Sequence, residues 1–183
     1  NGDDNGAVYV FTRSGETWSE TAYLKASNTS SYDHFGEAVA LSPEGDTLAV
    51  GAPDRDIRTT EADSIAKKNA GSVYIFTLGS ETWSEQAYLT ASNAGAYDQF
   101  GTSVALSELG NTLAVGAYRE DSSTTGIDTT PNDEATDAGA VYIFGRSGNN
   151  WSEQTYIKAS NSGRDDHFGF AVALSDDGNT LAA

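Results

Sequence analysis

The passage that decides the fold is "DHFGEAVALSPEGDTLAVGAP", residues 33 to 53. It holds an apolar run after Phe35-Gly36, a polar turn, and a second apolar run that ends in Gly51-Ala52-Pro53. The passage returns as "DQFGTSVALSELGNTLAVGAY" at 98 to 118 and as "DHFGFAVALSDDGNTLAA" at 166 to 183. Self-similarity at a fixed interval indicates a chain built from equivalent structural units.

Three aromatic series measure the interval, with spacings of 65 and then 68 residues in each: Tyr9, Tyr74 and Tyr142; Trp18, Trp83 and Trp151; Phe35, Phe100 and Phe168. The three extra residues fall between Gly116 and Gly139. An insertion confined to one place, with the register kept elsewhere, marks a loop.

Each unit reads as four short strands, typified by "FGEAVALS", "TLAVGA", "AGSVYIFT" and "WSEQAYLTA". The third is rich in β-branched and aromatic residues that alternate with period two, and the fourth is polar enough for an outer edge. Gly-bearing turns such as "PEGD" and "LGSE" join strands one to two and three to four. Repeats of this length with four strands are typical of β-propeller blades.

The sequence therefore predicts an all-β fold, a propeller of four-stranded antiparallel blades with two full blades and two half-blades. We place strands three and four of a preceding blade at 1–34, complete blades at 35–99 and 100–167, and strands one and two of a further blade at 168–183. A closed ring needs about four to eight blades. The chain is therefore either part of a larger ring or one that assembles with other copies through its exposed blade edges.

Composition excludes several classes of partner. The net charge of −17 would repel nucleic acid and anionic membrane surfaces, and no apolar run is long enough to cross a bilayer. The absence of cysteine excludes disulfides and thiolate metal sites. Cationic partners or divalent cations fit the charge, and the other reading is that the acidic residues only confer solubility.

The passages "FG", "LAVGAP" and "GSVYIF" resemble the FG-GAP repeat of integrin α-subunit propellers. The Trp after "AVYVF" and "GAYREDSSTTGI" at 116 to 127 are more similar still to bacterial exported proteins with tandem FG-GAP repeats. The resemblance covers essentially the whole chain. It implies a β-propeller that is secreted or at the cell surface and that serves as an interaction module.

Integrin-type repeats often carry a calcium loop between strands one and two, but the turns here, such as "SPEGDT", are too short and have too few carboxylates. Acidic residues gather instead in the loops after strand two. A calcium ion could use their oxygens, and the candidate ligands are Asp56, Glu120, Asp121 and Asp128. The other reading is a polar loop that binds no metal, and no other cofactor is expected.

Because neighbouring strands of a blade are antiparallel, the loops after strand two share one side with the connections between blades. We expect this side to bind ligands. We place Tyr32, Tyr97 and Arg164 at the same position of the three connections, where the tyrosines could stack on a sugar or a partner side chain. The Asp two residues before each Phe is expected to cap backbone amides.

No catalytic motif is visible, and Gln99 stands where the other connections have His34 and His167, so we predict that the chain is not an enzyme. The function predicted from the sequence is an extracellular interaction or adhesion module that binds a protein or glycan through the loop side. The alternative is a structural segment of an extracellular filament or adhesin stalk that assembles through exposed blade edges.

Overall fold

The computed structural model describes residues 5–28, 30–57 and 67–183. These residues form antiparallel sheets, and no helix among them is long and apolar enough to cross a membrane. The predicted all-β class and the blade architecture are confirmed. The described blades stand side by side in chain order, and their sheets do not close into a ring.

The first strands are a two-stranded hairpin, β1 (Val8–Ser14) and β2 (Thr17–Leu24). The first complete blade is β3 (Val39–Leu41), β4 (Thr47–Ala52), β5 (Ser72–Leu78) and β6 (Trp83–Leu89), paired in that order. The second is β7 (Ser103–Leu106), β8 (Thr112–Ala117), β10 (Ala140–Ser147) and β11 (Asn150–Lys158). A two-residue strand, β9 (Gly126–Ile127), pairs with β11 as a fifth strand, and β12 (Ala173–Leu174) pairs with β13 (Leu181–Ala182).

Strand one is shorter than predicted, because the Phe of the Phe-Gly dipeptide bonds to the preceding blade, while the Gly101 N–H still donates to the Gly116 carbonyl of its own blade at 2.9 Å. Phe100 donates its N–H to the carbonyl of Ala70 in the preceding blade, 2.9 Å away, and forms a parallel bridge to Gly71. Phe35 and Phe168 make the same bridge to Gly6 and Gly139. The dipeptide therefore ties each blade to the one before it.

Glycine at the second apolar run permits this close approach. A Cβ on Gly51 would lie 1.9 Å from the carbonyl oxygen of Gly101 in the next blade, and one on Gly116 would lie 1.9 Å from that of Gly169. Such distances are impossible without backbone movement, since each Cβ would meet another backbone rather than a flexible side chain. The repeated Gly residues are thus the points where neighbouring blades touch.

The apolar core lies in layers between blades. One cluster joins the β1–β2 hairpin, through Leu24 and Ala26, to the Phe35, Tyr74 and Phe76 rings of the first complete blade. A second cluster joins the other face of that blade to the second blade around Phe100, Tyr142 and Phe144. In each layer the Phe ring meets the Tyr and Phe rings edge-on, at centroid distances of 5.3 to 6.0 Å.

A β-bulge interrupts strands three and four at the same place in every unit. The register between β5 and β6 pairs Ile75 with Ala87 and then Phe76 with Glu85, so Gln86 has no partner opposite. The same shift leaves out Thr21 and Gln154. A bulge re-aims the side chain of the extra residue, and Gln86 accepts a hydrogen bond from the indole N–H of Trp151 in the next blade, 3.1 Å away.

Candidate functional site

The connections between blades and the loops after the second strands lie on one side of the sheets, which we call the loop face. Backbone hydrogen bonds join the two kinds of segment: the N–H groups of Tyr97 and Gln99 reach the carbonyls of Lys68 and Asn69, at 2.6 and 3.1 Å. In the next unit, Asp165 and His167 donate in the same way to Thr136 and Asp137. The face is therefore a bonded surface that extends across blades.

Each connection holds two residues in the left-handed region, three and one positions before the Phe. The first of these is Tyr32, Tyr97 and Asp165, with φ of 66°, 72° and 60°. In the third connection the tyrosine position therefore belongs to Asp165, so the equivalence that we assigned to Arg164 is wrong by one residue. Bulky residues rarely adopt this conformation, and here it leaves the Tyr32 and Tyr97 side chains about half exposed.

The capping role predicted for the aspartates before Phe is confirmed in the first two connections. Asp33 accepts the N–H of Ser30 at 2.7 Å, and Asp98 accepts that of Gly95 at 2.6 Å. Both carboxylates are buried. A cap of this kind fixes the path of the connection, and so it fixes where the neighbouring tyrosine stands.

The two capping carboxylates differ in their electrostatic surroundings. Arg55 lies 2.9 Å from Asp33 and forms an ion pair with it. In the next unit the position of Arg55 is taken by Glu120. Burial, reinforced by the charges of Glu120, Asp121 and Asp133, raises the pKa of Asp98 to about 7, against the lowering effect of the Gly95 N–H.

Glu120, one of the candidate calcium ligands, is buried in a polar network. One carboxylate oxygen accepts from the Lys158 ammonium at 2.7 Å and from the Ser122 N–H at 3.1 Å. The other accepts from the Tyr156 hydroxyl at 2.8 Å and the Asn93 amide at 3.0 Å. Lys158 also donates to the carbonyl of Gly139. These donors compensate the burial of the two charges, and the pair joins the loop to the outer strand β11.

The other three candidate ligands also accept hydrogen bonds from backbone N–H groups, and the structure does not bring the four together. Asp56 accepts from Asn69 at 3.0 Å, Asp121 from Asp137 at 2.9 Å, and Asp128 from Tyr156 at 2.9 Å. In the described chain, groups with ligand atoms within 4.8 Å are His34, Glu37 and Asp54, and Asp137, Asp165 and His167. Calcium binding stays a prediction, without a shared site for these four residues.

A cleft of about 850 Å³ opens on the loop face between the first connection and the loop after β4. Its described walls carry Tyr32, Tyr88, Arg55 and Asn69, together with the side-chain amide of Asn28 and the hydroxyls of Ser30 and Ser31. The Arg55 Nε–H is buried and has no hydrogen-bond partner within the described residues. A concave polar surface with exposed aromatic rings can bind a polar ligand.

Sequence reasoning missed Asp54, which organises this part of the face. Its carboxylate accepts from the side-chain amides of Asn69 at 3.0 Å and Gln99 at 2.6 Å, and it lies against the His34 ring. Gln99 belongs to the following connection, so Asp54 joins two blades. In the next unit Arg119 stands at this position and pairs with Asp137 at 3.0 Å. Because the residue type changes between units, the repeat gives no signal for this role.

A model of the FG-GAP repeat matches residues 18–76 and 83–144. The chain belongs to the FG-GAP repeat family. Each match contains one Phe-Gly dipeptide and one of the glycines, Gly51 or Gly116, at which neighbouring blades touch. FG-GAP repeats are typical of extracellular adhesion proteins of the integrin type and serve generally as interaction modules without catalytic activity. A comparison with curated proteins found no significant match.

Proposed function

We propose that this FG-GAP chain is a non-catalytic recognition module, secreted or at the cell surface, that binds a glycan or a protein through its loop face. Support comes from the family, whose repeats serve as interaction modules, and from the cleft between the first connection and the loop after β4. The cleft carries the proposal, because it combines exposed aromatic rings with hydrogen-bonding groups on a braced surface.

The chemistry of the cleft favours a polar ligand with one flat apolar surface. Tyr32 and Tyr88 are 56% and 40% exposed, so their rings have area to offer. A sugar presents C–H groups on one side and hydroxyls around its rim, which suits an aromatic ring flanked by Arg55 and amide groups. Since Arg55 is paired with Asp33, the cleft does not need an acidic ligand to balance a free cation.

The connections are braced before any ligand arrives. Asp33 caps the first connection, and Asp54 holds its histidine and the following connection. Preorganisation lowers the ordering entropy that binding has to overcome. The left-handed backbone at Tyr32 recurs at Tyr97 in a second unit, so the chain offers two aromatic groups presented in the same manner.

The test is binding of the 183-residue chain to a glycan array and, as a second arm, to a panel of extracellular proteins. Tyr32→Asn and Tyr97→Asn remove the rings while keeping a residue that tolerates positive φ. Leu109→Ala, in an exposed turn on the opposite side, is the matched control. We expect at least about tenfold weaker binding for a tyrosine variant and no change for the control. Binding that survives both tyrosine substitutions would refute the proposal.

A further inference from the structure

The second complete blade holds a lysine and a side-chain amide against one buried carboxylate. One oxygen of Glu120 accepts from the Lys158 ammonium at 2.7 Å, and the other accepts from the Asn93 amide at 3.0 Å. The side chains of Lys158 and Glu120 are 0% and 3% exposed. An amine is a nucleophile once it loses a proton, and an amide carbon is an electrophile. The carboxylate therefore holds side by side two groups that can react with each other.

The orientation of the Asn93 amide follows from its two partners. An ionised carboxylate only accepts hydrogen bonds, so the amide NH2 group must face Glu120. The amide oxygen then accepts from the Tyr142 hydroxyl, at 2.7 Å. Tyr142 is fully buried, and burial raises the pKa of its hydroxyl well above the usual value, so this donor stays protonated. The Asn93 carbonyl is therefore polarised by a buried donor, while its NH2 group lies against the carboxylate.

The Lys158 ammonium has fewer acceptors than protons. An ammonium has three N–H donors. Within the described residues, this one donates to Glu120 and to the carbonyl of Gly139, at 2.7 and 2.6 Å. Transfer of one proton to the Glu120 oxygen removes both buried charges and leaves a lone pair on the Lys158 Nζ. The pair can therefore supply a neutral amine next to the Asn93 amide.

The same place in the first complete blade lacks the lysine and the carboxylate. A tyrosine hydroxyl donates to an asparagine amide oxygen there too, from Tyr74 to Asn28. Arg55 and Thr90, however, stand at the positions of the glutamate and the lysine. The polarised amide thus belongs to both complete blades, whereas the amine and the proton acceptor occur together in the second. Neither is needed to build a blade, so the pair has a role of its own.

We propose that Lys158 and Asn93 form an isopeptide bond, an amide between two side chains, with Glu120 as the group that transfers protons. The Lys158 Nζ attacks the Asn93 Cγ, the Nζ–Cγ bond forms, and the Cγ–Nδ2 bond breaks. Glu120 takes one proton from the ammonium and delivers it to Nδ2, then takes a second from Nζ, which departs with ammonia as ammonium. The Tyr142 hydroxyl stabilises the charge that develops on Oδ1. One amide replaces another, so the step needs no oxidant or cofactor.

Burial and positioning favour this reaction over hydrolysis of the amide. Lys158, Glu120 and Tyr142 are all buried, so the amine has little competition from water as the nucleophile. The fold also holds the amine and the amide on one carboxylate, which replaces a chance encounter of two groups by a fixed arrangement. Tyr156 donates to the same carboxylate at 2.8 Å and acts as a positioning residue.

The bond would tie the connection between the two complete blades to the outer strand of the second. Asn93 follows β6 in that connection, and Lys158 is the last residue of β11. The chain contains no cysteine, so a disulfide cannot supply such a cross-link. A covalent bond between positions 93 and 158 restricts the unfolded and partly opened states of the chain. It would therefore stabilise the side of the molecule on which we place ligand binding.

The first measurement is the intact mass of the 183-residue chain, purified in the folded state and denatured for mass spectrometry. We expect a mass about 17 Da below that of the sequence, because one ammonia is lost. A tryptic digest should contain residues 69–119 joined to residues 147–164, since trypsin does not cleave after a lysine in amide linkage. Glu120→Gln keeps both reacting groups and removes the proton acceptor, and Lys158→Arg removes the nucleophile. Both variants should have the full mass.

Lys67→Arg is the matched control, because the Lys67 ammonium donates to the carbonyl of Ala94, beside Asn93, at 2.6 Å. This variant should keep the loss of ammonia. Near-UV circular dichroism verifies that the variants fold, and if Lys158→Arg does not, the joined peptides of the wild type decide the matter. A full mass in the folded wild type, still present after prolonged incubation, would overturn the proposal. So would a mass loss that persists in Lys158→Arg, since the reaction would then be confined to Asn93 or involve another amine.

Discussion

At the scale of single residues, buried carboxylates at equivalent positions of successive units have different charged partners. The buried aspartate of the first connection, Asp33, has Arg55 beside it. Its equivalent in the next unit, Asp98, has no arginine at that position. Where the arginine is replaced by Glu120, the outer strand carries Lys158 in place of Thr90. The Glu120 carboxylate is therefore paired with the Lys158 ammonium, and Asp98 has no cation of its own among the described residues.

This difference predicts opposite effects for the same substitution. Asp98 takes up a proton near pH 7 in the folded chain and near pH 4 in the unfolded chain. Between these values the folded state binds more protons, so this residue makes the free energy of unfolding fall as pH rises, by up to about 1.4 kcal/mol per pH unit. Asp98→Asn keeps an acceptor for the Gly95 N–H and should remove that fall, so that at pH 8 the variant is the more stable, by on the order of 2 kcal/mol.

Asp33→Asn is the matched comparison. It removes the carboxylate from a mostly buried Arg55 and should lower stability by about 2 kcal/mol. Urea unfolding of the wild type and both variants, followed by tryptophan fluorescence from pH 5 to 8, checks both expectations. An Asp98→Asn profile parallel to that of the wild type would show that this carboxylate does not titrate in the range.

The candidate site could be predicted only in part at this scale. The side of the sheets that carries the long loops followed from strand order alone, and Tyr32 and Tyr97 stand exposed on it. The burial of Glu120 could not be seen in its own loop, because its partner Lys158 lies 38 residues away. The joint change of Glu120 and Lys158 between units was the available signal, since residues that vary together are often in contact.

At the scale of elements, strand two was predicted well and strand one was not. "TLAVGA" is β4 from its first to its last residue, because its ladder partners lie within one blade. The Phe of the Phe-Gly dipeptide is bridged to a neighbouring blade, and no local pattern reveals such a bond. Strand β9 was not predicted for a similar reason. It has only two residues, and the Asp128 side chain beside it accepts a hydrogen bond from the Tyr156 N–H of β11, which is distant in sequence.

The close approach of blades gives the prediction at this scale. Gly116→Ala would place a Cβ 1.9 Å from the Gly169 carbonyl oxygen, a backbone atom, so the two backbones would have to move apart. We expect a loss of stability of about 3 kcal/mol or more, at or above the upper end for overpacked interiors. Gly79→Ala is the control: its new Cβ would lie 3.5 Å from the Thr82 carbonyl oxygen, an ordinary contact. Denaturant midpoints that fall equally for the two variants would contradict the steric account.

At the scale of the whole molecule, the chain is a linear series of layers. The β1–β2 hairpin packs on the cluster around Phe35, whereas the second blade packs on the separate cluster around Phe100. Proteins of this kind are stabilised mainly by contacts between neighbouring units, and one part can open while another stays folded.

The division of the core into layers predicts that a substitution in one layer destabilises only the strands that pack on that layer. Phe35→Ala removes a ring that is 2% exposed and that touches Tyr74 and Phe76, at a cost of about 3–5 kcal/mol. Hydrogen exchange followed by mass spectrometry should then show faster exchange in β1 and β2, with the protection of β10 and β11 unchanged. Leu109→Ala, at a side chain that is 66% exposed, should leave every strand unaffected. If Phe35→Ala instead accelerates exchange equally in all strands, the blades unfold as one cooperative unit, and the separation of the core into two layers has no energetic meaning.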